Sequence, residues 1–297
     1  MTERVGYIGL GLMGRPVALN LLRAGYPVAV YARRESAALP LVAAGATAYA
    51  SPQALAAACD IIFINVSDSP DVEAVVLGEQ GVIYGARAGS VVVDMSTISP
   101  RVTRSIAGRL SLKCIDMLDA PVSGGTIGAE AGSLSVMVGG KADIFKRLLP
   151  LFEVVGENIT HVGDHGAGQV AKACNQLIVA QMMAAIGEAF VLAEAAGVDP
   201  GKVREALMGG FAGSRILEVH GQRMLDDNFE PGFKAHLHQK DLRIVREAAA
   251  EMDLSLAGTE MVSEYINALV EGGRGELDSA ALVTVLAQQS RVTLHKT

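Results

Sequence analysis

No tryptophan occurs in the 297 residues, aromatic side chains make up only 4% of them, and the three cysteines, Cys59, Cys114 and Cys174, form no C-x-x-C pair. Each scarcity excludes something. An odd number of widely spaced cysteines gives neither a disulfide framework nor a zinc site, and fits a reducing compartment. With few aromatics, the hydrophobic half of the chain is mainly Ala, Val, Leu, Ile and Met, which suits parallel sheets covered by Ala-rich helices. Cations are in the minority too: 25 Lys and Arg against 32 Asp and Glu leave a net charge of −7. That balance lacks the clustered basic face of a nucleic-acid binder. The opening "MTERVGYIG" runs into a strand-like segment without a secretory signal pattern. The apolar stretch from Leu177 to Phe190 is interrupted by Gln181 and Glu188 and falls short of a membrane span. The expectation is a cytoplasmic protein acting on a small soluble molecule, with no nucleic acid and no membrane as partner.

A chain of this length exceeds what one hydrophobic core usually serves, so two domains are expected. Short β-branched runs, "RVGYIG", "PVAVYA", "DIIFINV", "SVVVDMS", "CIDMLDAPV" and "LSVMVGG", alternate with Ala/Leu helical patterns over the first part. That alternation means βαβ units and a mostly parallel sheet. From Ala167 to about Ala196 one proline-free pattern predicts a single long helix, apolar around most of its circumference. Further helices follow from Pro200, over "GKVREALMGG", "HLHQKDLRIVREAAAEM", "GTEMVSEYINALVEGG" and "DSAALVTVLAQQS", with no convincing strand. The fold class is therefore α/β, a Rossmann-type parallel-sheet domain over residues 1–163 joined by the long interdomain helix to an all-helical domain over 164–297.

Gly9, Gly11 and Gly14 form G-x-G-x-x-G in "YIGLGLMGRPVALNLL", with Leu12 and Met13 between the second and third glycines. The motif directly follows a strand and opens a helix. Dinucleotide binding asks for that order: a tight turn, a backbone without Cβ where pyrophosphate approaches, and close helix-to-strand packing. NAD-specific members of this fold end the second strand with an acid that bonds the ribose, whereas an arginine there accommodates a 2′-phosphate. Here Ala32 takes the acidic position and Arg33 and Arg34 follow. Two solvated loop arginines are the plainer reading, but loss of the acid beside two guanidiniums favours NADP(H), with NAD(H) as the alternative.

"DAPVSGG" follows an apolar run and so lies at a strand's carboxyl end, where open α/β sheets bind ligands. Ser123, Gly124 and Gly125 offer a hydroxyl and unobstructed N–H groups to a carboxylate, or form a simple turn. Lys172 sits in the first turns of the long apolar helix, where burial lowers an amine's pKa and makes it a proton donor and acceptor near neutrality. Asn175, three residues on, shares its face. A lysine snorkelling to the surface is the competing reading. His236 and His238 in "HLHQKD" are two apart and on a helix face different ways, so no metal site is expected. No histidine lies in a hydrolase motif.

With these residues in place, the chain resembles the β-hydroxyacid dehydrogenase family, which includes 3-hydroxyisobutyrate dehydrogenases, tartronate semialdehyde reductases and glyoxylate/succinic semialdehyde reductases. The likeness spans essentially the whole chain: "GYIGLGLMGRPVALNLL", "VVVDMSTISP", "DAPVSGGTIGAEAGSLSVMVGG", "GAGQVAKACNQ" and "FEPGFKAHLHQKDL", in that order. By position it implies that Lys172 is the catalytic lysine, with Asn175 its companion. Ser123, Gly124 and Gly125 become the carboxylate loop, Thr97 a neighbour of the nicotinamide, and Lys240 a lysine reaching toward cofactor and substrate. It also implies a homodimer or homotetramer and reduction of a small 3-oxo acid, tartronate semialdehyde to glycerate first among them. A non-catalytic dinucleotide-binding protein is the competing class, and loss of the lysine would mark it.

Overall fold

The computed structural model describes residues 3–294; residues 1–2 and 295–297, at the outer ends of the two expected domains, lie outside the described residues. Contacts divide the chain into two compact units, Met1–Lys172 and Ala173–Thr297.

Among the described residues the first unit is built on nine strands: β1 (Val5–Ile8), β2 (Val28–Tyr31), β3 (Thr47–Ala48), β4 (Ile61–Ile64), β5 (Val91–Asp94), β6 (Asp116–Asp119), β7 (Val122–Ser123), β8 (Leu134–Gly140) and β9 (Gly156–Gly163). They form one sheet in the order β3-β2-β1-β4-β5-β6-β8-β7, with β9 also on β8. Strands β1 to β6 pair in parallel. Their near-continuous apolar runs make sense because both faces are covered. In β4, Ile61 and Phe63 enter one core cluster while Ile62 and Ile64 enter the other, as a period of two requires. The strand order reverses between β1 and β4, the switch point at which doubly wound sheets open a crevice for ligands.

One part of the sheet departs from the parallel expectation. Strand β8 runs antiparallel to both β6 and β7. The reversal is local: Gly124 (φ +131°) and Gly125 (φ +63°) lead into the short helix Gly125–Ala131, and Gly132 (φ +69°) ends it in the left-handed region. Side chains disfavour those angles, and a connection this short cannot make the long crossover that parallel pairing demands.

Helix Ala167–Ala195 leads into the second unit. By length and composition alone it is apolar enough to cross a membrane, but Ala180, Met183, Ala184 and Phe190 are buried in that unit's core with Leu217, Leu242, Val262, Ile266 and Leu286. Helices Pro200–Met208, Arg215–Leu225, Ala235–Glu251, Ala257–Leu269 and Leu282–Ser290 complete the unit. The Arg215–Leu225 helix was not expected from the sequence; Ser214 caps it by accepting a hydrogen bond from the Leu217 N–H.

Buried Asp278 fixes the entrance to helix Ala235–Glu251. It accepts hydrogen bonds from the Gly232, Phe233 and Ala280 N–H groups and lies 3.1 Å from the Arg223 guanidinium. Burial alone would raise its pKa, but the contact with His220 and the Phe233 and Ala280 N–H groups hold the carboxyl below its usual value.

Candidate active site

Gly9 directly follows β1, and its φ of +97° suits glycine. A Cβ there would lie 2.0 Å from the Asn65 carbonyl oxygen at the end of β4, and one on Gly14 would lie 2.0 Å from the Gly9 oxygen. Both glycines are therefore required by the fold itself. Gly11 differs, since a Cβ on it would meet nothing within 4 Å. No contact within the described chain requires glycine there, and the space beside it is open. Leu12 is 57% exposed, and Met13 half-buried against the core. Met13, at the N-cap of helix Gly14–Arg23, makes no side-chain cap and the first turn holds no acid, so its N–H groups and positive dipole end suit an anion.

At the end of β2, half-buried Ala32 packs against the core, while Arg33 and Arg34 are exposed. The Arg33 guanidinium, 81% exposed, sits 3.7 Å from Asp71. The loops after β4 and β5 are tied together: the Val66 N–H donates to Ser96 Oγ and the Ser99 N–H to Ser69 Oγ. Thr97 is half-buried in the second of these loops.

Two buried side chains gather the rest of the first unit's site. Asp119, the last residue of β6, accepts from the Gly166 N–H (2.8 Å) and the Gln169 N–H (3.0 Å) at the start of the long helix. Burial pushes its carboxyl above the usual carboxylate range, against the pull of those N–H groups. The Gln169 side chain accepts from the Ile98 N–H (3.1 Å) and donates to the Ser96 carbonyl (2.8 Å). Lys172, one turn further on, is only 8% exposed. Ser123 is half-buried in β7, paired with Ser135 of β8, while Gly124 and Gly125 are exposed.

In the second unit, Asn175 and Lys240 belong to one chain of polar contacts. Asn175 Nδ2 donates to Gln176 Oε1 (2.8 Å), Gln176 Nε2 donates to Asp241 Oδ2 (2.5 Å), and Asp241 Oδ1 lies 3.0 Å from the Lys240 ammonium. Gln176 and Asp241 are buried, and Lys240 is mostly so. His236 is within hydrogen-bond distance of the Gly275 carbonyl and His238 of the Gln176 carbonyl. Among the described residues no group of three or more His, Cys, Asp or Glu is placed to hold a metal ion.

The profile described as the NAD binding domain of 6-phosphogluconate dehydrogenase matches residues 4–163. The one described as NAD-binding of NADP-dependent 3-hydroxyisobutyrate dehydrogenase matches residues 166–286. Over 283 residues, 95% of this chain and 97% of the relative, the sequence is 48% identical to 2-hydroxy-3-oxopropionate reductase of Escherichia coli (strain K12). The chain belongs to the β-hydroxyacid dehydrogenase family. It is an NAD(P)-dependent oxidoreductase acting on CH–OH groups. Two solved structures are similar to this dehydrogenase. Mycobacterium tuberculosis 3-hydroxyisobutyrate dehydrogenase with L-serine gives a TM-score of 0.89 at 30% identity, over 96% of this chain and 99% of that one. Psf3 in complex with NADP+ and 2-OPP gives 0.86 at 26%, over 95% and 99%.

The open space at Gly11 and the uncapped helix start fit the family's dinucleotide. What sequence reading missed in this dehydrogenase is the polar scaffolding: Asp119, Gln169, Gln176, Asp241 and the loop after β4. Asp119 and Gln169 stand inside motifs already singled out, "DAPVSGG" and "GAGQVAK", and a polar residue in an otherwise apolar run was their signal.

Proposed function

We propose that the enzyme reduces a short 3-oxo acid with NADPH, tartronate semialdehyde (2-hydroxy-3-oxopropionate) going to glycerate as the first substrate. The observation that carries the reading is a buried lysine in a helix start fastened to the loop that follows β5 and to the last residue of β6. Bound NADPH supplies the hydride that reaches the aldehyde carbon. Lys172 donates the proton taken up by the carbonyl oxygen, and Asn175, on the same helix three positions later, orients that oxygen. Ser123 and the N–H groups of Gly124 and Gly125 hold the substrate carboxylate, Thr97 lines the nicotinamide side, and Lys240 reaches toward cofactor and substrate. With carboxylate and carbonyl held this way, only a few bonds separate them, which restricts the class to short oxo acids.

The substrate choice within that class is supported by the 48% identity to the E. coli reductase. L-serine in the mycobacterial structure is itself a short acid bearing a 3-hydroxyl, so 3-hydroxyisobutyrate is the second reading. Preference for NADPH over NADH is supported by Arg33 and Arg34. The exposed Arg33–Asp71 pair is a weak surface contact that a 2′-phosphate would outcompete. A homodimer or homotetramer is part of the proposal, supported by Val170, Ile178 and Leu192, apolar and exposed along the long helix. The test follows loss of NADPH and NADH absorbance with tartronate semialdehyde, methylmalonate semialdehyde, glyoxylate and succinic semialdehyde in parallel. The expected result is the highest kcat/KM with tartronate semialdehyde and NADPH; a higher value for any of the other three acids overturns the substrate.

A further inference from the structure

We infer that Asp119 and Gln169 are positioning residues that lock the helix carrying Lys172 to the loop carrying Thr97 and to the end of β6, four residues before Ser123, so that they set turnover through the lysine. This rests on the reading of Lys172 as the proton donor.

Both side chains are essentially inaccessible, at 0% and 1% exposure, and burying a carboxylate or an amide is costly unless its bonds are made. Here they are made at both ends. Each Asp119 oxygen takes one N–H at the start of the long helix, from Gly166 just before it on one and from Gln169 in its first turn on the other. Gln169 uses its amide oxygen and its amide nitrogen on the backbone of the loop after β5, at Ile98 and Ser96, the two neighbours of Thr97.

A helix start is ordinarily capped by a side chain beside it in sequence. The long helix instead takes its cap from a carboxylate 47 positions upstream, on the strand that leads within four residues to Ser123. The tie leaves little slack. A Cβ on Gly168 would lie 2.4 Å from the Met137 oxygen and 2.6 Å from the Asp119 oxygen, and one on Gly139 would lie 2.7 Å from Asp119 Oδ1. Lys172 lies one turn beyond Gly168 and three residues beyond Gln169, so its Cα inherits that placement. Stability alone needs no such arrangement, since apolar packing would hold a helix to a sheet without buried amides. A fully satisfied polar network fixes one register, and proton transfer is sensitive to displacements of about 1 Å.

The experiment is a double-mutant cycle with Gln169→Met and Lys172→Ala, reading kcat with tartronate semialdehyde, NADPH affinity by fluorescence, and folding by circular dichroism. Gln169→Met in the parent lowers kcat about 10-fold or more with NADPH affinity held within about 2-fold. In the Lys172→Ala background it changes the residual rate by less than about 2-fold, because the group it positions is gone. An equal fold-loss in both backgrounds, or a parental kcat for Gln169→Met, overturns the inference. Should Gln169→Met fail to fold, Gln169→Glu carries the test. It keeps the acceptor for the Ile98 N–H and regains a donor toward the Ser96 oxygen only when protonated, so its kcat relative to the parent rises as pH falls; a ratio flat with pH overturns the inference. Failure of the underlying reading shows separately, as parental turnover in Lys172→Ala alone.

Discussion

The three glycines of the nucleotide loop are not equivalent, and the difference is measurable. Gly9→Ala places a Cβ 2.0 Å from a carbonyl oxygen at a residue with φ +97°. Forcing an L side chain into such backbone costs about 1–3 kcal/mol, and the clash adds to it, because the ends of β1 and β4 must separate by about 1 Å to restore van der Waals contact. At roughly 2–4 °C per kcal/mol for a chain of this size, Tm falls by at least about 5 °C. Gly11→Ala meets nothing within 4 Å, so its melting curve overlays that of the parent. NADPH affinity, however, drops by about 10-fold or more, about 1.4 kcal/mol, because the new methyl occupies the pyrophosphate's approach. Differential scanning fluorimetry and fluorescence titration with NADPH read the two effects independently. A Gly11→Ala variant that binds NADPH like the parent, or that melts as early as Gly9→Ala, refutes the assignment of Gly11 to the cofactor.

Arg33→Ala removes the guanidinium that answers a 2′-phosphate, and the ratio of kcat/KM for NADPH to that for NADH falls by about 10-fold, with NADH kinetics little changed; an unchanged ratio assigns the discrimination elsewhere. Asp278→Asn removes the buried carboxylate that faces His220 and Arg223 and accepts from the Gly232, Phe233 and Ala280 N–H groups, and costs about 3 kcal/mol at neutral pH in urea unfolding. Because the folded pKa of Asp278 lies below its unfolded value, its stabilisation is present above the unfolded carboxylate value of about 3.9 and is lost as pH falls through the folded one. The stability gap between parent and variant therefore narrows below pH ~4, and a gap constant down to pH ~2 would contradict the account of a carboxylate held ionised by His220 and the Phe233 and Ala280 N–H groups.

The glycine loop, the alternation of strands and helices and the long helix were legible because each imposes a local pattern: backbone without Cβ, a period of two, a period of 3.6. The second-unit helices were legible for the same reason, except Arg215–Leu225, which a cap and its packing decide. The antiparallel return of β8 was not, since direction depends on positive-φ glycines whose angles a sequence does not display. Asp119 and Gln169 were quoted in motifs but given no task, because their partners lie 47 to 73 positions away and long-range hydrogen bonds leave no periodic mark. Asn175 was read only as the companion of Lys172, whereas Gln176 and Asp241 also tie it to Lys240. His236 and His238, two apart on their helix, lie against the backbone carbonyls of Gly275 and Gln176, contacts that no local pattern marks.

The claim on which the rest depends is that Lys172 moves the proton. Its direct test is kcat of Lys172→Ala at saturating NADPH and tartronate semialdehyde, measured alongside NADPH affinity. The account predicts a fall of roughly 100-fold or more in kcat with affinity essentially unchanged. Turnover within a few-fold of the parent contradicts it.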